Sequence, residues 1–182
     1  VFGGGEPTTD TIDYISLGTT GNAIDFGNLS QSRQLPVGFS SRIRACFAGG
    51  RTPSVVDTID FVTISVTGNA TDFGNLTSSR MVCGAASSST RGLIIAGMTP
   101  SGLNIIDYVT MATTGNAIDF GDTSDSGATA ACSSPTRAVA TVGDSNHSTE
   151  FVTIASTGNS ADFGSLHGRS STCWNAVRGL FG

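Results

Sequence analysis

The chain is poor in charge of either sign: Asp, Glu, Lys and Arg together make up 13% of its 182 residues, and the formal net charge is −5. No stripe of Lys or Arg exists, which excludes an electrostatic footprint for nucleic acid. No apolar run approaches the roughly 18 residues needed to cross a bilayer as a helix. The chain opens Val1-Phe2-Gly3-Gly4-Gly5, with neither Met nor a basic stretch, so no targeting signal can be read there. Aromatics are scarce at 7%, mostly Phe, with Trp174 alone of its kind. Histidine occurs only as His147 and His167. No segment carries an apolar period of 3.6 over helical length. None of the four cysteines lies in a C-x-x-C pair or beside a histidine at zinc-site spacing. Cys46, Cys83, Cys132 and Cys173 are therefore expected to be buried free thiols, with a disulfide between neighbouring repeats as the alternative.

Glycine, serine and threonine are abundant, and they recur in register. Thr20-Gly21-Asn22 returns as Thr67-Gly68-Asn69, Thr114-Gly115-Asn116 and Thr157-Gly158-Asn159. Each phrase is followed by Ala or Ser, one more residue, and then Asp-Phe-Gly, at Asp25-Phe26-Gly27, Asp72-Phe73-Gly74, Asp119-Phe120-Gly121 and Asp162-Phe163-Gly164. The central glycines are 47, 47 and 43 residues apart. A period of that size marks an array of one supersecondary unit.

One unit reads as four strands. Met81–Ala86 is a run of small and apolar residues, and Ser87–Thr90 is a polar turn. Arg91–Gly97 is a second strand ending in glycine, and Thr99–Gly102 is a turn by composition. Ile105–Ala112 is β-branched and aromatic. Thr113–Asn116 is a tight turn, because Gly and Asn tolerate positive φ. Ala117–Phe120 is a short fourth strand. The third strand, as in Phe61-Val62-Thr63-Ile64-Ser65-Val66, is uncharged on both sides, which fits a sheet buried on both faces. The predicted fold is all-β: a β-propeller of four-stranded antiparallel blades of about 47 residues, one propeller or partial propeller over residues 1–182.

The unit resembles the kelch repeat. Ala48-Gly49-Gly50 is close to the kelch double glycine, although Ala96-Gly97-Met98 keeps one glycine only. Tyr14, Phe61, Tyr108 and Phe151 stand where a kelch third strand has its aromatic. Phe26, Phe73, Phe120 and Phe163 stand where kelch has Trp. The phrases Ile-Asp-Tyr-Ile, Thr-Gly-Asn-Ala, Asp-Phe-Gly-Asn-Leu and Ser-Ser-Thr-Arg-Gly also resemble tandem repeats in large structural proteins of marine tailed bacteriophages, cyanophages among them. That resemblance implies a virion component such as a tail, fibre or capsid appendage. It implies other virion proteins and a host-surface glycan or protein as partners, leaves self-association open, and brings no catalytic residue with it. Val1–Gly4 and Arg178–Gly182 both match the second strand of a unit. The expectation is therefore a window of a longer array, with a self-contained four-bladed ring as the alternative.

The repeated charges have two readings. Asp13, Asp60, Asp107 and Glu150 precede the third-strand aromatic, and Asp25, Asp72, Asp119 and Asp162 precede the fourth-strand Phe. Clustered acids can ligate calcium. The favoured reading is structural: each acid accepts backbone N–H groups or pairs with the repeated arginine of its own or the next blade. Those arginines, Arg44, Arg91, Arg137 and Arg178, are expected to tie blade to blade. Asn28, Asn69, Asn75 and Asn146 fit the N-x-S/T glycan pattern, which arises by chance in so Ser/Thr-rich a chain. His147, near Asp144 and Glu150, has no spacing that supports nucleophilic catalysis, and His167 has none either. No catalytic, cofactor or metal site is predicted. The variable turns Thr52–Val56, Thr99–Asn104 and Ser145–Thr149 are the expected contact loops. A non-enzymatic structural and adhesive role is the first reading. A propeller glycan-degrading enzyme, with Asp122, Asp125 and Asp144 as the acids outside the repeat, and a kelch-like protein scaffold are the alternatives.

Overall fold

A computed structural model describes residues 1–127, 130–143, 148–166, 172–174 and 179–181. It contains strands and turns but no helix among those residues. The first sheet is β1 (Phe2–Gly3), β2 (Thr9–Tyr14) and β3 (Ile24–Arg33). The second is β4 (Val37–Ser40), β5 (Arg44–Ala48), β8 (Thr58–Thr63) and β9 (Thr71–Asn75), with a small hairpin, β6 (Arg51–Thr52) and β7 (Ser54–Val55), between its middle strands. The third is β10 (Gly84–Ser87), β11 (Arg91–Thr99), β12 (Ser101–Thr110) and β13 (Ile118–Asp122). The fourth is β14 (Ala131–Ser133), β15 (Arg137–Val142), β16 (Ser148–Thr153) and β17 (Ala161–Ser165). A last hairpin is β18 (Thr172–Trp174) and β19 (Gly179–Phe181). Within each sheet the strands run antiparallel in chain order.

Serine hydroxyls close the tight turns between first and second strands. Ser41 Oγ accepts the N–H groups of Ile43 and Arg44, Ser88 Oγ those of Thr90 and Arg91, and Ser134 Oγ those of Thr136 and Arg137. The predicted turn at Thr99–Gly102 is tighter than its composition suggests. Strands β11 and β12 continue to Thr99 and Ser101 and leave Pro100 alone at the tip.

The apolar cores lie between sheets rather than within them. Ile12, Phe26 and Leu29 of the first repeat meet Ala45, Phe47 and Val62 of the second sheet. Phe39, Cys46, Ile59 and Phe73 meet Ile94, Val109 and Met111. Leu93, Ile95, Ile106 and Phe120 meet Ala138, Ala140, Val152 and Ile154. The second and third sheets are thus buried on both faces, with Asp60 and Asp107 the one charged residue in each third strand. The first strands succeed one another along the stack, β10 lying against β4, β14 against β10 and β18 against β14.

The ladder between third and fourth strands carries a bulge at one fixed place in every repeat. The pairing of third and fourth strands slips between Ile12 and Asp13, Ile59 and Asp60, Ile106 and Asp107, and Thr149 and Glu150. The residue skipped on the fourth strand is the Phe of Asp-Phe-Gly, since Ile12 faces Gly27 and Asp13 faces Asp25. Bulges of this kind re-aim a side chain. Here Phe26, Phe73 and Phe120 turn into the inter-sheet cores, at 4%, 2% and 3% exposure. The preceding aspartate braces the bulge. Asp25, Asp72, Asp119 and Asp162 each accept the N–H of their glycine two residues on, at 3.1 Å.

Candidate interaction site

The Thr-Gly-Asn turn joins the third strand to the fourth, as its composition predicts, and it also reaches back to the sheet before it. Gly68 donates its N–H to Phe26 O at 2.7 Å, and Ala70 donates to Asn28 O at 2.7 Å. Asn69 Oδ1 accepts the N–H of Asn28 at 3.1 Å. The next junction repeats this with Gly115 to Phe73, Ala117 to Asn75 and Asn116 Oδ1 from Asn75. The third has Gly158 to Phe120, Ser160 to Asp122 and Asn159 Oδ1 from Asp122. The carbonyl used each time belongs to the bulged Phe, which the strand register skips. The bulge therefore opens a backbone acceptor, and the next turn takes it.

This clasp explains the glycine of Asp-Phe-Gly. A Cβ on Gly27 would stand 2.3 Å from Gly68 O, and on Gly74 or Gly121 it would stand 2.5 Å from Gly115 O or Gly158 O. Those glycines also hold φ of +147°, +143° and +145°. Both the space and the dihedral admit only glycine.

A second tie lies beneath the clasp. Asp60 Oδ2 accepts the N–H and Oγ of Ser30, at 3.1 and 2.9 Å, and pairs with Arg33 Nη2 at 3.0 Å. Asp107 accepts the N–H and Oγ1 of Thr77, at 2.9 and 2.7 Å, and pairs with Arg80 Nη2 at 2.7 Å. All four charged side chains are fully buried. Arg33 also donates to Phe47 O at 3.1 Å, and Arg80 to Ile94 O at 3.5 Å. Burial pulls the Arg33 guanidinium below its ordinary value, and the Asp60 carboxylate opposes that pull. The arginine expected to pair with these acids was the one at Arg44, Arg91 and Arg137. The structure corrects this: the partner is an arginine from the end of the preceding repeat. At the third junction Gly127 stands at the corresponding place. There Glu150, one methylene longer than aspartate, accepts the Ser124 N–H and the hydroxyls of Ser124 and Ser160.

Arg44 and Arg91 do tie sheet to sheet, through carbonyls. Arg44 Nη1 donates to Met111 O, and Arg91 Nη1 to Ile154 O, both at 3.0 Å. Each guanidinium lies over the third-strand aromatic of its own sheet, as does that of Arg137, at 4.4–4.6 Å from the centroids of Phe61, Tyr108 and Phe151. Those rings meet the fourth-strand Phe edge-on, with centroids 5.8–6.1 Å apart. Arg178 lies outside the described residues.

Among the described residues no group of three or more His, Cys, Asp or Glu is placed to hold a metal. Cys46, Cys83 and Cys132 are buried and outside any disulfide, and burial pushes the thiols of Cys46 and Cys83 up to about 12. The side chain of Cys173 is outside the described residues, as are Asp144, Asn146, His147 and His167. Of the expected contact loops, Thr52–Val56 is the β6–β7 hairpin and Thr99–Asn104 the tip of β11–β12. Most of Ser145–Thr149 is not described.

A further surface feature was not anticipated. The serine turns of the second, third and fourth sheets surround an open recess of about 580 Å³, lined by Ser40, Ser41, Arg42, Ser87, Ser88 and Pro135 among others. Its floor is laced together: Ser87 Oγ donates to Ser40 O at 2.8 Å, and Ser133 Oγ to Ser87 O at 2.9 Å. The signal lay in the repeated Ser-Ser three or four residues before the stacked arginine. Compared with known proteins, the chain matches no family model and no curated protein.

Proposed function

We propose that the chain is a non-enzymatic structural and adhesive module of a virion, a kelch-like propeller or part of one that offers its turns to partner subunits or to a host-surface glycan or protein. One observation carries this reading. The recurrent side chains that could do chemistry are engaged in holding sheet to sheet: Asp60 and Asp107 in buried pairs, Arg44 and Arg91 on carbonyls of the next sheet, Asp25 and its equivalents on bulge amides. What varies between repeats is the connection of second to third strand, a two-by-two hairpin at Arg51–Val55 and a long one tipped by Pro100. A rigid scaffold with variable connections is the arrangement used for recognition. The serine-lined recess offers hydroxyls and one guanidinium, Arg42, a chemistry suited to sugar hydroxyls.

The test is the protein content of purified particles. Peptides of this chain at structural stoichiometry, with antibody labelling on the particle surface, support the reading; absence from the particles overturns it. Incubation with host polysaccharide separates the alternative, since new reducing ends would identify a glycan-degrading enzyme.

A further inference from the structure

Arginine supplies all of the positive side-chain charge, for the chain has no lysine. Most of the described guanidinium groups are committed to the fold. Arg33 and Arg80 sit in buried ion pairs. Arg44 and Arg91 hold carbonyls of the next sheet, and Arg137 lies over the ring of Phe151. Arg51 Nε donates to the side-chain oxygen of Gln34 at 2.8 Å. Arg42 is exposed, and among the described residues it alone of the arginines has no ion pair, hydrogen bond or ring contact.

Turn chemistry explains why the fold leaves Arg42 free. In each serine-closed turn the hydroxyl accepts the N–H groups two and three residues on, so the residue directly after the serine takes no part. That place holds Arg42, Ser89 and Pro135 in the three turns. All three line the recess of about 580 Å³. Three successive repeats thus place at one cavity the residue that the turn leaves open to change. The cavity is internal to the array. Its walls come from the second, third and fourth sheets, with the first sheet before them and β18–β19 after.

The recess is rich in hydrogen-bond donors and poor in acceptors. Arg42 brings a fork of N–H groups. Ser40 and Ser89 are exposed, and their hydroxyls have no partner among the described residues. The backbone N–H groups of Arg42 and Ser89 are unpaired in the same sense. The carbonyls of Ser40 and Ser87 are already taken by serine hydroxyls. No Asp or Glu is among the described residues that line the cavity, although the chain carries 14 acids against 9 arginines. Such a surface fits an anion with acceptor oxygens, because a guanidinium grips a carboxylate or sulfate through paired hydrogen bonds. One arginine answers one charge, so the ligand carries its charges singly and apart, unlike a nucleic-acid backbone. The volume falls in the range of small-ligand sites, about 300–1,000 Å³, and Pro135 supplies an apolar wall for the C–H face of a sugar.

We propose that this recess is a binding site for an acidic saccharide, carboxylated or sulfated, with Arg42 clamping the anionic group and Ser40 and Ser89 taking neighbouring ring hydroxyls. The proposal rests on the reading of the chain as an adhesive module, and it names the class of ligand.

Titration calorimetry with three oligosaccharides of equal length tests it: an oligouronate, a sulfated galactan fragment and a neutral glucan. The expected result is that an acidic probe binds at least tenfold more tightly than the neutral one, and the two acidic arms tell carboxylate from sulfate. Arg42→Gln weakens that binding at least tenfold and leaves the melting temperature in place. Arg42→Lys weakens it less, since the charge stays while the fork is lost. Ser89→Glu, which sets a carboxylate in the recess, weakens it as Arg42→Gln does. Failure of both acidic probes to bind overturns the proposal, as does a neutral glucan that binds equally well or an Arg42→Gln chain that binds like wild type. Particle content decides the adhesive-module reading separately. A chain found on particles that binds only the neutral glucan keeps that reading and loses this one.

Discussion

The junction between the second and third sheets and the junction between the third and fourth share a clasp but differ beneath it. The first buries a full ion pair, Arg80 with Asp107; the second has Gly127 where the arginine would stand and closes on Glu150 with two serine hydroxyls. The sheets stack in both cases. The ion pair is therefore one of two fillings for the same gap, and the clasp is the common element that sets register. This agrees with the general finding that a buried ion pair is costly to half-remove and cheap to replace whole.

The comparison can be broken most strongly at Arg80. Arg80→Met leaves Asp107 buried and unpaired, and is expected to cost about 3–5 kcal/mol in urea unfolding. The double variant Arg80→Met/Asp107→Leu should recover most of that loss; equal destabilisation by single and double variants would refute the account. Next in size is the clasp. Gly121→Ala drives a Cβ into Gly158 O and demands a forbidden dihedral, with an expected cost of about 2–3 kcal/mol. The same substitution at Gly164, where a Cβ meets nothing within 4 Å among the described residues, should cost less, and a difference near zero would show that the clasp contributes little.

Alkali sharpens the contrast by another route. Cys46 and Cys83 both lie in the core between the second and third sheets, and neither the preceding nor the following core contains a cysteine from this set. Their thiols sit at about 12 when folded against 9.0 unexposed to the fold. A raised thiol value means stability is whole below pH 9 and declines as pH climbs toward 12, because only the unfolded chain ionises. The expected loss at pH 10 is about 1–2 kcal/mol per thiol. Cys46→Ala/Cys83→Ala should flatten that alkaline slope, whatever it does to stability at neutral pH.

Two smaller effects remain. Asn116→Ala removes one clasp hydrogen bond, at a cost of about 1 kcal/mol. The matching change at Asn22, whose side chain reaches no preceding sheet, should leave the monomer's melting temperature unchanged. Ala96→Gly goes the other way. Ala96 holds φ of +52° at the place where Gly49 holds +64°, and relieving it should stabilise the third sheet by about 1 kcal/mol. Thermal unfolding of the two variants side by side measures both.

The strands and turns of the repeat were legible because they depend on local chemistry: β-branched runs, glycine ends, serine turns. The Phe in Asp-Phe-Gly was legible as an aromatic of the fourth strand, though its place as the bulged residue was not. That depends on pairing with a strand some distance back, where the register slips at the acid. The buried arginines were hidden for a similar reason. Arg33 and Arg80 are repeated, but Gly127 interrupts their period, so Arg44, Arg91 and Arg137 looked like the only regular cations. Which of two arginines turns inward is decided by the space between sheets, and periodicity carries no information about that space. The clasp itself joins the most conspicuous phrase in the chain to the phrase of the repeat before it, a contact between repeats that no single repeat displays.

Each clasp joins residues 41 apart at the first two junctions and 37 apart at the third. The loop always comes from the later repeat and the bulge from the earlier. A chain emerging from the ribosome can thus lock one sheet as soon as the next turn has been made, without waiting for its far end. Folding in such nearest-neighbour arrays can propagate from any formed unit, and here synthesis gives that propagation a direction.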